Sequence, residues 1–178
     1  MQIAIENIIL FIFLFLSLVV VGVGARSDLK TRMVSNAVPI ALIIIFFVGK
    51  ICLLITLFYF GNFKSGTDFQ TTAIQEFITP LARAACIFLL FLLLTLILEK
   101  LRKKEMFGGA DIKILAASSL YLSLESFAIA LTIACSLIIV IAISRRSTRS
   151  LNATFPFVLY YFVGYAFVVI LQVIALFA

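Results

Sequence analysis

The sequence is poor in charge. Only 12% of its 178 residues are charged, whereas 65% are hydrophobic, and the mean hydropathy is +1.28. A soluble domain contains about 25% charged and roughly 45–50% apolar residues. A chain of this length cannot hide such an excess in a core, because much of its surface stays exposed. The surrounding solvent must therefore be lipid, and we predict a polytopic membrane protein.

Histidine and paired cysteines are also missing. The sequence has no histidine and three cysteines, and Cys52, Cys86 and Cys135 each stand alone in an apolar run. The absence of a CxxC pair excludes a zinc ribbon and a dithiol redox motif. We interpret the cysteines as small buried residues, and we predict neither a metal site nor a cofactor.

The first seven residues contain no lysine or arginine and carry Glu6. A secretory signal peptide begins with a positively charged region. Residues 8–24 are therefore predicted to be a retained helix and not a cleaved signal.

Six apolar segments predict an all-α protein with about six transmembrane helices in a single domain, residues 1–178. A spanning helix needs about 20 apolar residues. The fourth segment is shorter than that, so it spans only if its first turn includes the preceding glycines and Asp111, or if other helices bury it. Pro80 and Pro156 suit first-turn positions. The predicted helices cover residues 3–24, 37–60, 80–98, 114–124, 126–144 and 153 to the C-terminus.

The basic residues are concentrated in alternate loops. By the positive-inside rule these loops face the cytoplasm, which puts both termini outside in a multi-pass protein of the cell membrane. Topology and attraction to anionic lipid headgroups explain the positive charge, so the lipid bilayer is the predicted partner and nucleic acid is not. The cytoplasmic loops hold Arg26, Lys30, Arg32, Lys100, Arg102, Lys103, Lys104, Arg145, Arg146 and Arg149.

Two of the eight acidic residues differ from the rest. Asp28 and Asp111 each lie at the predicted cytoplasmic end of a helix, next to glycine and alanine residues too small to cover them. The predicted topology puts both at the same depth. Surface charge is a sufficient explanation for the other six acids.

Two carboxylates a few ångströms apart share one proton over a wide pH range, because both cannot easily be ionised. The ionised member can take a proton from water while the protonated member hydrogen-bonds the carbonyl under attack. Peptide hydrolysis of this kind requires neither a metal nor a nucleophilic side chain. It suits a chain without histidine.

The residues before Asp111 also point to a site. Gly108, Gly109 and Ala110 leave the backbone nearly bare, and glycine lets a substrate backbone approach closely and adopts φ > 0 without strain. An alternative needs no catalysis: the glycines form a turn and Asp111 is the N-cap of a helix. Spacing alone does not separate these two interpretations.

Two motifs together resemble the type IV prepilin peptidase family, the GxGD-type intramembrane aspartic proteases that include archaeal preflagellin peptidases. The family places one Asp in a D-x5-[IV]-[PS]-N segment, which is similar to residues 28–36, DLKTRMVSN. Its second motif, G-x-G-D-x-K before a short helix, resembles residues 108–113, GGADIK, with Ala110 in place of the third-position Gly. Phe155, Pro156, Phe157 and Gly164 are similar to the start of the family's last helix.

The resemblance implies an aspartic endopeptidase with a catalytic Asp28–Asp111 pair. Its substrate would be a pilin-like or archaellin-like precursor, cut at the cytoplasmic membrane edge between a short basic leader and an apolar helix. Lys113 would either hold Asp111 ionised or position the substrate, unless it simply snorkels to the interface. Asn36 is expected to be the N-cap of the second helix. Longer family members carry paired CxxC motifs linked to N-methylation, so no methyltransferase activity is expected here.

Two other interpretations remain open from the sequence. Asp28 and Asp111 could line a proton or cation path in a small transporter or channel component, although neither lies mid-membrane. The chain could also be an inactive scaffold of a pilus or secretion assembly.

Overall fold

The structure is a computed structural model that describes residues 2–31, 34–60, 66–102, 108–146 and 156–177. Within these ranges the chain forms six α-helices and no strand. Arg32, Lys103, Lys104, Arg149 and residues 153–155, which entered the predictions above, lie outside them. The helices are α1 (Gln2–Thr31), α2 (Ala37–Phe60), α3 (Gly66–Arg102), α4 (Gly109–Ser118), α5 (Leu124–Arg146) and α6 (Phe157–Phe177).

Five of these helices are long and apolar enough to cross a membrane: α1, α2, α3, α5 and α6. The shortest spanning stretch has 21 residues, which at 1.5 Å per residue matches a hydrocarbon core about 30 Å thick. Their outer surfaces expose many Leu, Ile, Val and Phe side chains, as expected where lipid is the solvent. The predicted all-α, polytopic membrane fold is confirmed.

Several predicted boundaries are wrong. α1 continues to Thr31, so Asp28 lies on a helix and not in a loop. α3 begins at Gly66, which puts Pro80 inside it and not in its first turn. Polar residues argue against membrane depth but not against helix, so composition placed the start of α3 too late. Pro156 precedes α6, which begins at Phe157.

The cysteines also differ from the prediction. Cys52 is half-buried, whereas Cys86 and Cys135 are exposed on the outer surfaces of α3 and α5. The expectation of burial came from soluble proteins, where apolar residues avoid water. In a membrane protein an apolar side chain loses nothing by facing lipid.

The fourth segment is a short helix followed by an irregular turn. α4 begins at Gly109 and includes Asp111 in its first turn. Its 10 residues rise only about 15 Å, and turn residues 119–123 continue the path. Ser126, at the start of α5, accepts a 3.4 Å hydrogen bond from Gln172 near the end of α6. The chain therefore passes from one end of the bundle nearly to the other between Asp111 and Ser126.

An irregular backbone inside a membrane bundle needs hydrogen-bond partners, because lipid offers none. Arg83 of α3 donates from Nε to the Ser119 carbonyl at 3.1 Å. The Tyr121 hydroxyl donates to the Leu42 carbonyl of α2 at 2.6 Å. Ser123 Oγ accepts the backbone N–H of Ser126 at 3.1 Å and so caps α5. Protein groups thus replace water around this turn.

α6 is the central helix and packs against both α1 and α5. Tyr161 and Tyr165 are fully buried on it. Each hydroxyl is hydrogen-bonded at 2.7 Å to a serine, Tyr161 to Ser118 of α4 and Tyr165 to Ser17 of α1. These pairs fix the register of α1 and α4 against α6.

The helices alternate in direction. The Asn7 amide of α1 donates to the Leu176 carbonyl of α6 at 2.7 Å, so the first and last helices meet at one end. The end of α1 and the starts of α2, α4 and α6 lie at the opposite end. We call this second end the basic end, because the described residues there include Arg26, Lys30, Lys113, Arg145 and Arg146.

Candidate active site at the basic end of the bundle

Asp28 lies near the end of α1 and is buried, with 7% of its surface exposed. Its Oδ2 accepts the backbone N–H of Val158, the second residue of α6, at 3.1 Å. The first N–H groups of a helix have no partner within the helix and form its positive end. Asp28 of α1 therefore accepts one of the free N–H groups at the start of α6. This hydrogen bond fixes the position of the Asp28 Oδ2 atom.

Asp111 is the third residue of α4 and is half-buried. The N-cap of this helix is Gly108, with an extended backbone at φ −66° and ψ 138°. The Asp111 backbone N–H donates to the Gly108 carbonyl at 2.9 Å. The alternative that Asp111 is itself the N-cap is therefore wrong. Its carboxylate belongs to the first turn of the helix, where negative charge is favoured.

The two carboxyl groups are close enough to affect one another. The pKa of Asp111 is raised from 3.8 to about 6, first by burial and then by the negative charge of Asp28. A hydrogen bond from the Gly108 backbone opposes this rise. Because the pKa of one carboxyl depends on the charge of the other, the site tends to hold one proton between two acids.

The two glycines before Asp111 contribute differently. A Cβ at Gly108 would lie 3.3 Å from Asp111 Oδ2, whereas a Cβ at Gly109 would have nothing within 4 Å. Gly108 thus makes room for the carboxylate, whereas exposed Gly109 has open space where a side chain would be. Ala110 follows on α4 and is half-buried. The Gly108 φ is an ordinary negative one, so small size, and not a left-handed backbone, is what this position uses.

Lys113 and Asn36 contact each other at the start of α4 and the start of α2. Lys113 Nζ donates to Asn36 Oδ1 at 3.0 Å, and both side chains are exposed. Asn36 directly precedes α2, which is the expected N-cap position, but Ser35 Oγ is the side-chain oxygen that accepts an α2 amide, from Ala37 at 3.2 Å. Lys113 therefore connects the start of α4 to the start of α2.

The described residues contain no group of three or more Asp, Glu, Cys or His side chains that could hold a metal ion. Among the described residues, Asp28 of α1 and Asp111 of α4 are two acids that the fold brings together.

Sequence reasoning missed Val158. Its contribution is a backbone N–H, so its side chain carries no signal. Pro156 does indicate a helix start nearby, and a helix start supplies free donors. Which carboxylate receives them depends on how α1 packs against α6.

Comparison with models of known protein families finds a match that includes the helices of both acids. A model of the type IV leader peptidase family matches residues 9–143, which is more than half of the chain and contains both Asp28 and Asp111. A search of characterised proteins and a search of solved structures gave no match. Membership of the family implies prepilin-type leader peptidase activity in a membrane protein. The matched range, together with the all-helical membrane fold, shows that this chain belongs to the type IV leader peptidase family.

Proposed function

We propose that this protein is an aspartic endopeptidase that removes the short basic leader from prepilin-like or prearchaellin-like precursors. The observation that carries the proposal is the electrostatic coupling of Asp28 and Asp111 at one end of the bundle. A carboxyl whose pKa is raised by burial and by a neighbouring acid, as that of Asp111 is, is typical of catalytic acid–base pairs.

Water is the proposed nucleophile. The ionised carboxylate removes a proton from the water, and the water oxygen adds to the scissile carbonyl carbon. The protonated carboxyl gives its proton to the carbonyl oxygen, forming a neutral tetrahedral intermediate. The intermediate then collapses: the carboxyl that took the proton from water gives it to the leaving nitrogen and the C–N bond breaks. One hydroxyl group of the intermediate returns its proton to the other carboxylate, which restores the singly protonated pair as the new carboxyl end is released.

The hydrogen bonds support a division of roles. Asp28 Oδ2 accepts an N–H from Val158, and an oxygen used in this way is an acceptor and holds no proton. Asp111, with its pKa raised to about 6, is the member that holds the shared proton at mildly acidic pH. We assign the base to Asp28 and the acid to Asp111.

The position of the pair suits the cleavage site of such a precursor. The positive-inside rule assigns the basic end to the cytoplasm, in a cytoplasmic membrane with both termini outside. Gly109, two residues before Asp111, is exposed and has open space where a side chain would be, so an extended backbone can approach there. A precursor that is cut between a polar leader and an apolar helix presents its scissile bond at the cytoplasmic edge of the membrane, where the basic end is assigned.

The test is processing of a precursor in cells that express both proteins. Wild-type protein is expected to shorten the precursor by the length of its leader. Asp28→Asn and Asp111→Asn are each expected to reduce the rate by at least about a thousandfold, because the two acids act as one unit. Glu125→Gln is the control, since Glu125 is exposed at the start of α5 near the opposite end. Near wild-type processing by either Asp variant, inserted at normal levels, would refute the proposal.

Val158→Pro is expected to lower the cleavage rate by about tenfold to a hundredfold, by removing one charge-assisted hydrogen bond of roughly 1.5–3 kcal/mol. Proline has no N–H, yet it is tolerated in the first turn of a helix. Val158→Ala is the matched control because it keeps the backbone donor. Initial rates on purified precursor measure both variants. Equal rates for the two would show that the Val158 N–H does not orient Asp28.

A further inference from the structure

A groove runs from the basic end into the membrane region between α2, α3 and α4. It encloses about 540 Å³, within the usual range of roughly 300–1,000 Å³ for ligand pockets. Ile40 and Ile43 of α2 face Leu81 and Phe88 of α3 across it, and Ala116 and Ala117 of α4 form its floor. Ile40, Ile43 and Leu81 are exposed, so the groove opens sideways to lipid.

The groove exists because α2 and α3 are held together at its far end, away from the basic end. Lys50 of α2 forms an ion pair with Glu76 of α3. The rings of Phe47 and Phe77 lie 6.3 Å apart beside that pair. Nearer the basic end α4 lies between the two helices and packs against both. The ion pair therefore closes the groove at its far end and leaves the basic end open.

The open end of the groove lies at the basic end of the bundle, the end that also holds the acid pair. Lys113 and Asn36 line it there, hydrogen-bonded to each other. Lys113 is two residues beyond Asp111, and residues two apart on a helix point to different sides. A chain leaving the groove would reach Asp111 by passing over the start of α4, where Gly109 carries no side chain and has open space around it.

We propose that this groove binds one side of the apolar helix that follows the scissile bond of the precursor. The inference rests on the proposed function and adds a binding site for the part of the substrate that is not cut off. Its apolar interior, open to lipid, matches the segment after the cut, which is an apolar helix, whereas Asn36 and Lys113 line its opening. The floor of alanines allows two helices to approach closely, as small residues do in membrane helix pairs.

The dimensions favour a short contact. From Lys113 to Leu120, α4 and the first residues of the turn after it extend along the groove for about 10 Å, which is close to two helical turns. The groove would therefore hold the first two turns after the cut and leave the rest of the substrate helix in lipid. Binding of this helix would hold the scissile bond above Gly109 at a constant height.

The test compares two substrates and two variants. Ala84 lines the groove, whereas neighbouring Ala85 is exposed and does not line it, so Ala84→Phe fills the groove and Ala85→Phe is its matched control. The substrates are the full precursor in liposomes and a soluble peptide that carries the leader and cleavage site without the apolar helix. Ala84→Phe is expected to raise KM for the full precursor at least about tenfold, as added methylenes do in an apolar pocket. Cleavage of the peptide is expected to be unchanged, and Ala85→Phe is expected to match wild type on both substrates.

Each other outcome has one meaning. If Ala84→Phe cleaves the full precursor normally, or slows on both substrates equally, the groove is not the helix site. A photoreactive residue replacing Ile43 is expected to cross-link to the precursor helix, and cross-links to lipid alone would overturn the inference in favour of an acyl-chain site. If wild-type protein cleaves neither substrate, the proposed function itself fails.

Discussion

Asp111→Asn is expected to unfold at a higher temperature than the wild-type protein at pH 7, although the same change is expected to abolish cleavage. Burial and the charge of Asp28 raise the pKa of Asp111 to about 6, so the ionised carboxylate destabilises the folded state. Asparagine has nearly the same shape and no charge. Removing this unfavourable charge should therefore stabilise the fold, and such a gain in stability at the expense of activity is common.

The effect should depend on pH in a defined direction. Below 3.8 the Asp111 carboxyl is protonated in both folded and unfolded chains. Between 3.8 and about 6 the folded protein still holds a proton that the unfolded chain has released, so the free energy of unfolding falls as pH rises through this window. At pH 7 the full destabilisation is present, and at pH 3.8 or below it is absent.

Circular dichroism of the protein in detergent, followed with temperature at several pH values, measures this difference. The Asp111→Asn variant should gain a few degrees over wild type at pH 7, since about 1 kcal/mol shifts Tm by roughly 2–4 °C in a chain of this size. The gain should disappear towards pH 4. Glu125→Gln, which replaces an exposed carboxylate, should show no such dependence. An equal gain for Asp111→Asn at both pH values would mean that the charge of Asp111 is not the cause.

Gly164→Ala is expected to disrupt the bundle more than any other glycine-to-alanine change among the described residues. A Cβ at Gly164 would lie 2.2 Å from the backbone oxygen of Ala130. That oxygen belongs to α5 and cannot rotate away, so α5 and α6 must separate. Overpacking of this kind costs typically about 1–3 kcal/mol, and sometimes more.

The same change should also affect the candidate site, because α6 carries the Val158 N–H that donates to Asp28. We expect a lower unfolding temperature together with slower cleavage of precursor. Gly22→Ala is the control, since its Cβ would meet the side-chain ring of Phe162 at 3.2 Å, and a ring can shift. Wild-type stability of Gly164→Ala would show that the close α5–α6 packing is not required.

The sequence alone determined the class of protein and the candidate residues. Low charge and long apolar runs predict membrane helices because lipid requires both. Asp28 and Asp111 stand out because small residues precede each carboxylate, Asp28 just after an apolar run and Asp111 just before one. These conclusions depend on local composition, which does not change when the chain folds. The limits of α1 and α3 were less predictable, since polar residues extend helices beyond the membrane without any change in backbone.

Only the tertiary structure decided how distant segments meet. The passage of α4 and its turn through the bundle depends on Arg83 and Tyr121, which supply hydrogen bonds from other helices. The pairing of Asp28 with the Val158 N–H joins residues 130 positions apart, and Lys113 bonds Asn36 across 77 positions. Such contacts result from the packing of whole helices, so no stretch of sequence carries them. The sequence could name both acids, but the packing of α1, α4 and α6 determines that they share one electrostatic environment.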